Sequence, residues 1–197
     1  NLIHHIRTIK RAGANPVVCI NAFHTDTENE IKLVRRLAEG AGARVAVSTH
    51  WQHGGEGALE LADAVIDACN EPNDFKFLYG LETPLRERVE LIAREVYGAD
   101  GVEFLPEAKR ELRRYRRLRF QRLPVCMAKT QYSLSDDPKR LGRPQNFKIT
   151  VRSVRISAGA GFVVALTGDI MTMPGLPKKP AAETIDVDGS GRISGLF

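Results

Sequence analysis

Two short polar stretches hold the residue types best suited to chemistry. NAFHTDT (Asn21 to Thr27) carries Phe23 and His24, and THWQHGGEG (Thr49 to Gly57) carries Trp51, the sole tryptophan, with His50, His53 and three glycines. Two aromatics facing each other across a cleft can clamp a flat ring. Gly54, Gly55 and Gly57 lead into a helix N-terminus, whose free N–H groups favour an anion or a polar heterocycle. The alternative is that both rings pack beneath their own loops. His50 and His53 have a metal-ligand spacing, but no nearby cysteine or carboxylate pair completes a tetrahedral site. DVDGSGRIS (Asp186 to Ser194) begins like a calcium loop, yet the twelfth position, where an EF-hand requires a bidentate glutamate, is Phe197. A tight turn on Gly189 and Gly191 between two short strands is expected there instead. No serine, histidine and acid set carries a hydrolase-like local sequence.

The elements that position the two loops follow from the apolar pattern. NPVVCIN (Asn15 to Asn21) is a short valine- and isoleucine-rich run, as expected of a strand buried on both faces. A helix follows from Thr27, whose hydroxyl caps it while Glu30 reaches back, with Ile31, Val34, Leu37 and Ala38 inward. Gly40 to Gly42 stops it, and RVAVS (Arg44 to Ser48) gives a second strand. Gly57 to Cys69 gives a second helix with Leu59, Ala62, Val65, Ile66 and Cys69 on one side. This βαβα alternation predicts a parallel α/β sheet. Ligands of such sheets bind beyond the carboxyl ends of the strands, and a right-handed crossover puts both loops on one rim.

A polar, proline-containing turn at Glu71 to Asn73 divides the chain into 1–70 and 71–197. The second part reads as a smaller α+β domain. Its first helix is capped by Thr83, starts at Pro84, turns Leu85, Val89, Ile92 and Val96 inward, and stops at Gly98. A second helix opens at Pro106. Strands follow at PVCMAK, at Phe147 to Ile156 and at Phe162 to Thr167, the last two joined by a turn at Gly159 to Gly161.

Composition narrows the class. With 197 residues, 43% hydrophobic and 27% charged, the chain has the make-up of an ordinary globular protein. No apolar run is long enough for a membrane helix. Three scattered cysteines among apolar neighbours, Cys19, Cys69 and Cys126, predict buried thiols in a reducing compartment, hence the cytoplasm. The chain opens at Asn1 inside an apparent helix, as expected if it begins partway through a larger protein. Its net charge of +5 comes from one place: Lys109, Arg110, Arg113, Arg114, Arg116, Arg117, Arg119 and Arg122 face one acid, Glu111. The expectation is a solvated face, or one that pairs with acids of a neighbouring domain or subunit. A nucleic-acid-binding module using this Lys109 to Arg122 helix is the alternative.

NAFHTDTE, THWQHGGEGALELA, LPVCMAKTQYSLS (Leu123 to Ser135), AGAGF, GDIMTMPGLP and IDVDGSGRISGLF together resemble formate–tetrahydrofolate ligase, in order along the whole chain. The resemblance implies the C-terminal portion of that enzyme, and βα units from the end of a nucleotide-binding-type sheet. It implies ATP-driven activation of formate to formyl phosphate, with Mg, then attack by N10 of tetrahydrofolate to give 10-formyltetrahydrofolate. The family's phosphate-binding pattern GxxxxGK[ST] does not occur in these 197 residues. By the same resemblance the ATP-binding groups lie in an N-terminal portion, the isolated chain is inactive, and the complete enzyme is a homo-oligomer. Motif position makes Phe23 and Trp51 the walls of the folate pocket. Asn21, Gly54 and Gly55 line it, and His24 stands where many members carry proline. Lys129 to Ser135 receive no role, and no catalytic or metal-binding residue is implied within this chain.

Overall fold

The computed structural model describes residues 1–168, 170 and 178–195. Helix α1 (Leu2–Arg11) leads to strand β1 (Val17–Asn21), helix α2 (Glu28–Gly40) and strand β2 (Arg44–Ser48). A short helix α3 (His50–His53) and a 3-10 turn over Gly54–Ala58 then enter helix α4 (Leu59–Asn70). β1 and β2 pair in parallel, with Asn21 opposite Ser48 at their carboxyl ends. The alternation expected from the sequence is therefore present. Thr27 caps α2 as a complete capping box: its Oγ1 accepts from the Glu30 backbone N–H, and Glu30 Oε2 accepts from the Thr27 N–H at 2.9 Å.

This first unit is far more open than its apolar content predicts. β1 and β2 pair only with each other, leaving their outer edges without a neighbouring strand among the described residues. Only Ile6, Ala38 and Ala43 form a closed cluster, with Val18, Ala41 and Val45 against it. The expectation that β1 is buried on both faces is not met: Cys19 and Asn21 are exposed, and Val17, Val18 and Ile20 are half-buried. All three cysteines are exposed, correcting the prediction of buried thiols. The inward face of α4 is also rotated from its expected position. Leu61, Ala64 and Ala68 are its covered residues, while Leu59, Ala62, Val65, Ile66 and Cys69 face outward. The cause is common to all: two strands and their helices do not supply enough surface to cover every apolar face the sequence encodes.

The second unit holds helices α5 (Leu85–Glu95) and α6 (Pro106–Arg117) against one sheet. Its strands are β3 (Gly101–Phe104), β4 (Val125–Ala128), β5 (Lys148–Ser157) and β6 (Phe162–Thr167). Strand order is β3-β5-β6-β4; β5 and β6 are antiparallel, while β3 pairs with β5 and β4 with β6 in parallel. The two parallel pairs make this sheet mixed, so helices and strands interleave more than the α+β expectation implied. Strand β3 was not expected at all. Pro84 occupies the cap position of α5 and no side chain caps that helix, so the predicted Thr83 cap is absent. Thr83 contributes its carbonyl oxygen instead, accepting from Arg88 Nε at 2.6 Å. The core gathers Leu85, Val89, Phe104, Ala108, Tyr115, Val151, Val154, Val163 and Ala165.

Arg88, 0% exposed, ties the helix layer to its connections. Its guanidinium donates to the carbonyls of Thr83, Leu81, Gln121 and Leu123 and lies over the Tyr79 ring. The two units meet through α1, where His4 Nε2 sits 2.7 Å from the Val96 carbonyl oxygen. They meet again where the N–H groups of Asp74 and Lys76 donate to the carbonyls of Gly13 and Ala12. Past β6, strands β7 (Asp186–Val187) and β8 (Ile193–Ser194) form a small antiparallel hairpin. Asp188 Oδ1 accepts from the N–H groups of Ser190 and Arg192 and from the Ser190 hydroxyl, forming the turn foreseen in place of a calcium loop. Those bonds hold its carboxyl below the usual carboxylate range, the Ser190 side chain contributing most. Phe197 and most of GDIMTMPGLP lie outside the described residues. No helix among the described residues is long and apolar enough to cross a membrane.

Candidate functional site

The rim at the carboxyl ends of β1 and β2 is built by backbone bonds between the strand ends and their loops. After Asn21 the Ala22 N–H donates to the Ser48 carbonyl at 2.9 Å, carrying the pairing one residue past the strand. The next residues fold tightly: the Phe23 N–H donates to Asp26 Oδ2 at 2.8 Å, and the Asp26 N–H returns to the Phe23 carbonyl at 3.0 Å. Phe23 thus sits at the base of a braced turn, with His24 exposed beside it.

The second loop is held from below by Ser48, which is fully buried. Its hydroxyl lies 2.8 Å from His50 Nδ1 and 3.2 Å from the Gly57 carbonyl oxygen. The Thr49 N–H also donates to the Gly57 carbonyl at 2.9 Å, closing the loop on itself. A side chain at Gly57 would meet the Thr49 backbone at 2.6 Å, so this position requires glycine. Gly54 takes φ +59, the left-handed region, and with Gly55 faces open space. His53 Nδ1 lies 3.0 Å from Thr49 Oγ1, so the two histidines of the ligand-like spacing are bonded to different hydroxyls. Among the described residues no group of three or more His, Cys, Asp or Glu side chains is arranged to hold a metal ion.

The two loops bring Phe23 and Trp51 together, with ring centroids 5.6 Å apart and planes inclined at 54°. Neither ring is packed beneath its loop: Phe23 is 40% exposed and Trp51 65%. At this spacing the tilted rings touch each other directly. A flat ligand needs about 3.5 Å on each side, so a sandwich requires the centroids to part to about 7 Å. Exposed Asn21, Gly54 and Gly55 lie on the same strand ends and loop.

No sequence pattern pointed to Asp26 and Ser48 as loop supports. Each is a short polar residue at a strand end, the chemistry that caps turns through its own backbone contacts. Lys129 to Ser135 acquire a structural explanation. Lys129 Nζ donates to the carbonyls of Thr130, Ser133 and Ser135 and lies 5.0 Å from the Tyr97 ring centre. Burial pushes its pKa down. The segment wraps around a single ammonium group in the second unit.

The family model for formate–tetrahydrofolate ligase matches residues 1–197. The chain is 58% identical to a protein of that name from Desulfotalea psychrophila, covering all of this chain and 36% of the relative. Proteins of the same name from Desulfovibrio desulfuricans and Lawsonia intracellularis are each 55% identical over all of this chain and 34% of their own length. The chain thus spans about a third of the length of these curated relatives. Identity at this level over every residue leaves one assignment: the chain belongs to the formate–tetrahydrofolate ligase family.

Proposed function

We propose that this chain supplies the folate-binding platform of an ATP-dependent enzyme that joins formate to tetrahydrofolate. The observation that carries the reading is the exposed Phe23–Trp51 pair on the strand-end rim. A large, rigid aromatic left 65% exposed forgoes most of its burial energy, which is the cost of presenting a stacking surface to a flat ligand. In this reading the rings separate to take the pterin between them. Gly54 and Gly55, lacking side chains, let the ring approach the backbone, and Asn21 offers its amide at the edge. Asp26 and Ser48 hold the two loops in register.

ATP with magnesium supplies the activating chemistry. A formate oxygen takes the terminal phosphoryl group as ADP leaves, then N10 attacks the formyl carbon as phosphate leaves and the N10 proton is lost. No GxxxxGK[ST] pattern occurs in the 197 residues, so this chemistry is assigned to the two-thirds of the relatives' length that the chain does not cover. That portion is also the proposed cover for the open first unit. β1 and β2 become part of a larger nucleotide-binding-type sheet, and the outward side chains of Leu33, Leu37, Leu59, Val65 and Ile66 are its contact surface. The complete enzyme is proposed to work as a homo-oligomer in the cytoplasm. The test is product formation. The 197-residue chain given formate, ATP, magnesium and tetrahydrofolate should make no 10-formyltetrahydrofolate, and adding the remaining portion should restore it. Product from the chain alone would overturn the assignment.

A further inference from the structure

The basic helix α6 does not carry its charge evenly. Ala108, Leu112 and Tyr115 turn toward the sheet, and several of the surrounding arginines have acidic partners. Arg110 and Arg114 both approach Glu111, and Arg122 pairs with Glu82 at 2.6 Å. Lys109, Arg113 and Arg116 differ. They stand at i, i+4 and i+7 on one exposed face, and none has an ion-pair partner among the described residues. Like charges at these spacings repel, and the rise of a helix spreads the three over about 10 Å.

That stripe forms one wall of a cavity of about 710 Å³ between α6 and the start of α5. Half-buried Leu112 gives it an apolar floor, the Arg86 guanidinium lies 5.2 Å over the ring of buried Phe104 beside it, and Pro84 begins the opposite wall. The first-turn N–H groups of α5 open near it with no side chain to cap them. Two acids border the space. Glu82 is already paired with Arg122, which leaves Glu87 as the only unpaired acid among the described lining residues, against three cations without an ion-pair partner. Arg86 is engaged by Glu90 at 2.9 Å.

We propose that this groove is a second ligand site, separate from the Phe23–Trp51 rim, for a small organic polyanion with a flat or apolar body and two or three phosphate or carboxylate groups. The body rests on Leu112 and on the Arg86 guanidinium that covers Phe104, and the anionic groups engage Lys109, Arg113 and Arg116. The volume lies within the range of small-molecule sites, and the three cations supply the charge complementarity. This site stands independently of the folate reading.

Isothermal titration of the 197-residue chain at 150 mM salt tests it with three probes: ADP, benzene-1,2,4-tricarboxylate and inorganic tripolyphosphate. At least one of the first two should bind with Kd below about 100 μM and more tightly than tripolyphosphate, which lacks a body. ADP alone binding identifies a phosphate ligand, and the tricarboxylate alone a carboxylate ligand. Arg113→Gln with Arg116→Gln should weaken binding at least tenfold. Arg110→Gln with Arg117→Gln, which removes the same charge outside the groove, should change it less than threefold. Thermal melts of both pairs should match the parent chain. No organic probe binding below about 100 μM, or equal losses in the two pairs, would overturn the site. So would a single-stranded RNA twenty-mer that outcompetes both organic probes and shows a steep salt dependence.

Discussion

Replacing Trp51 with alanine separates a folate-binding ring from a packing ring. In the free chain Trp51 is 65% exposed and its aromatic contact among the described residues is with Phe23, so removing it costs stability less than about 2 kcal/mol. Stacking of a flat heterocycle on an aromatic is worth about 1–3 kcal/mol. At about 1.4 kcal/mol per factor of ten, losing the stack weakens folate binding by about 5-fold to 150-fold. In the complete enzyme, steady-state kinetics with tetrahydrofolate varied should therefore show KM raised about fivefold or more, with the KM for ATP little changed. Trp51→Phe keeps a ring and should lose much less. Phe23→Ala distinguishes two geometries. If the ligand parts the rings and lies between them, its effect matches Trp51→Ala within a few fold, whereas a ligand resting only on the open face of Trp51 leaves Phe23→Ala near the parent. A tetrahydrofolate KM within twofold of the parent in Trp51→Ala would refute the stacking role.

Arg88→Met removes a buried guanidinium and leaves four carbonyls without their donor, so it should destabilise the chain by about 3–5 kcal/mol; a urea-denaturation loss below 1 kcal/mol would contradict the role given to it. Gly57→Ala must displace the Thr49 backbone and should abolish folate-dependent quenching of Trp51 fluorescence, while Gly40→Ala, facing open space at the far end of α2, should preserve it. Thr27→Ala breaks the α2 capping box and should cost about 1 kcal/mol in thermal or urea unfolding, with folate binding unchanged. The bonds around Asp188 depress its pKa, so their contribution is present above the unfolded carboxylate pKa and is lost as pH falls through the folded value. Ser190 and Arg192 amide shifts followed by NMR should stay constant at neutral pH and move only below the usual aspartate range, and Asp188→Asn should remove that titration.

What the sequence made legible was local. The Thr27–Glu30 capping box, the glycine stops and the valine-rich runs each act within a few residues, and each appears where expected. The pairing of Phe23 with Trp51 followed from one topological rule, since parallel strands place their carboxyl ends on one side. Three features resisted. β3 is only four residues, GVEF, too short to show a period, and is defined by its pairing with β5 far along the chain. The order β3-β5-β6-β4 rests on contacts between distant segments that no local pattern encodes. The exposure of Cys19, Cys69, Leu59 and Ile66 failed for another reason. Apolar neighbours report that a surface is meant to be covered, without saying whether these 197 residues provide the cover.

Tetrahydrofolate is expected to contact the Phe23–Trp51 pair, and because Trp51 is the only tryptophan of the 197 residues, its indole protons can be observed alone by selective labelling. Intermolecular NOEs between the labelled 197-residue chain and saturating tetrahydrofolate test the contact atom by atom. Cross-peaks are expected from the pterin portion to the Trp51 indole and the Phe23 ring, with the benzoyl-glutamate end giving weaker ones. Cross-peaks confined to other residues, or an indole untouched at saturation, would contradict it.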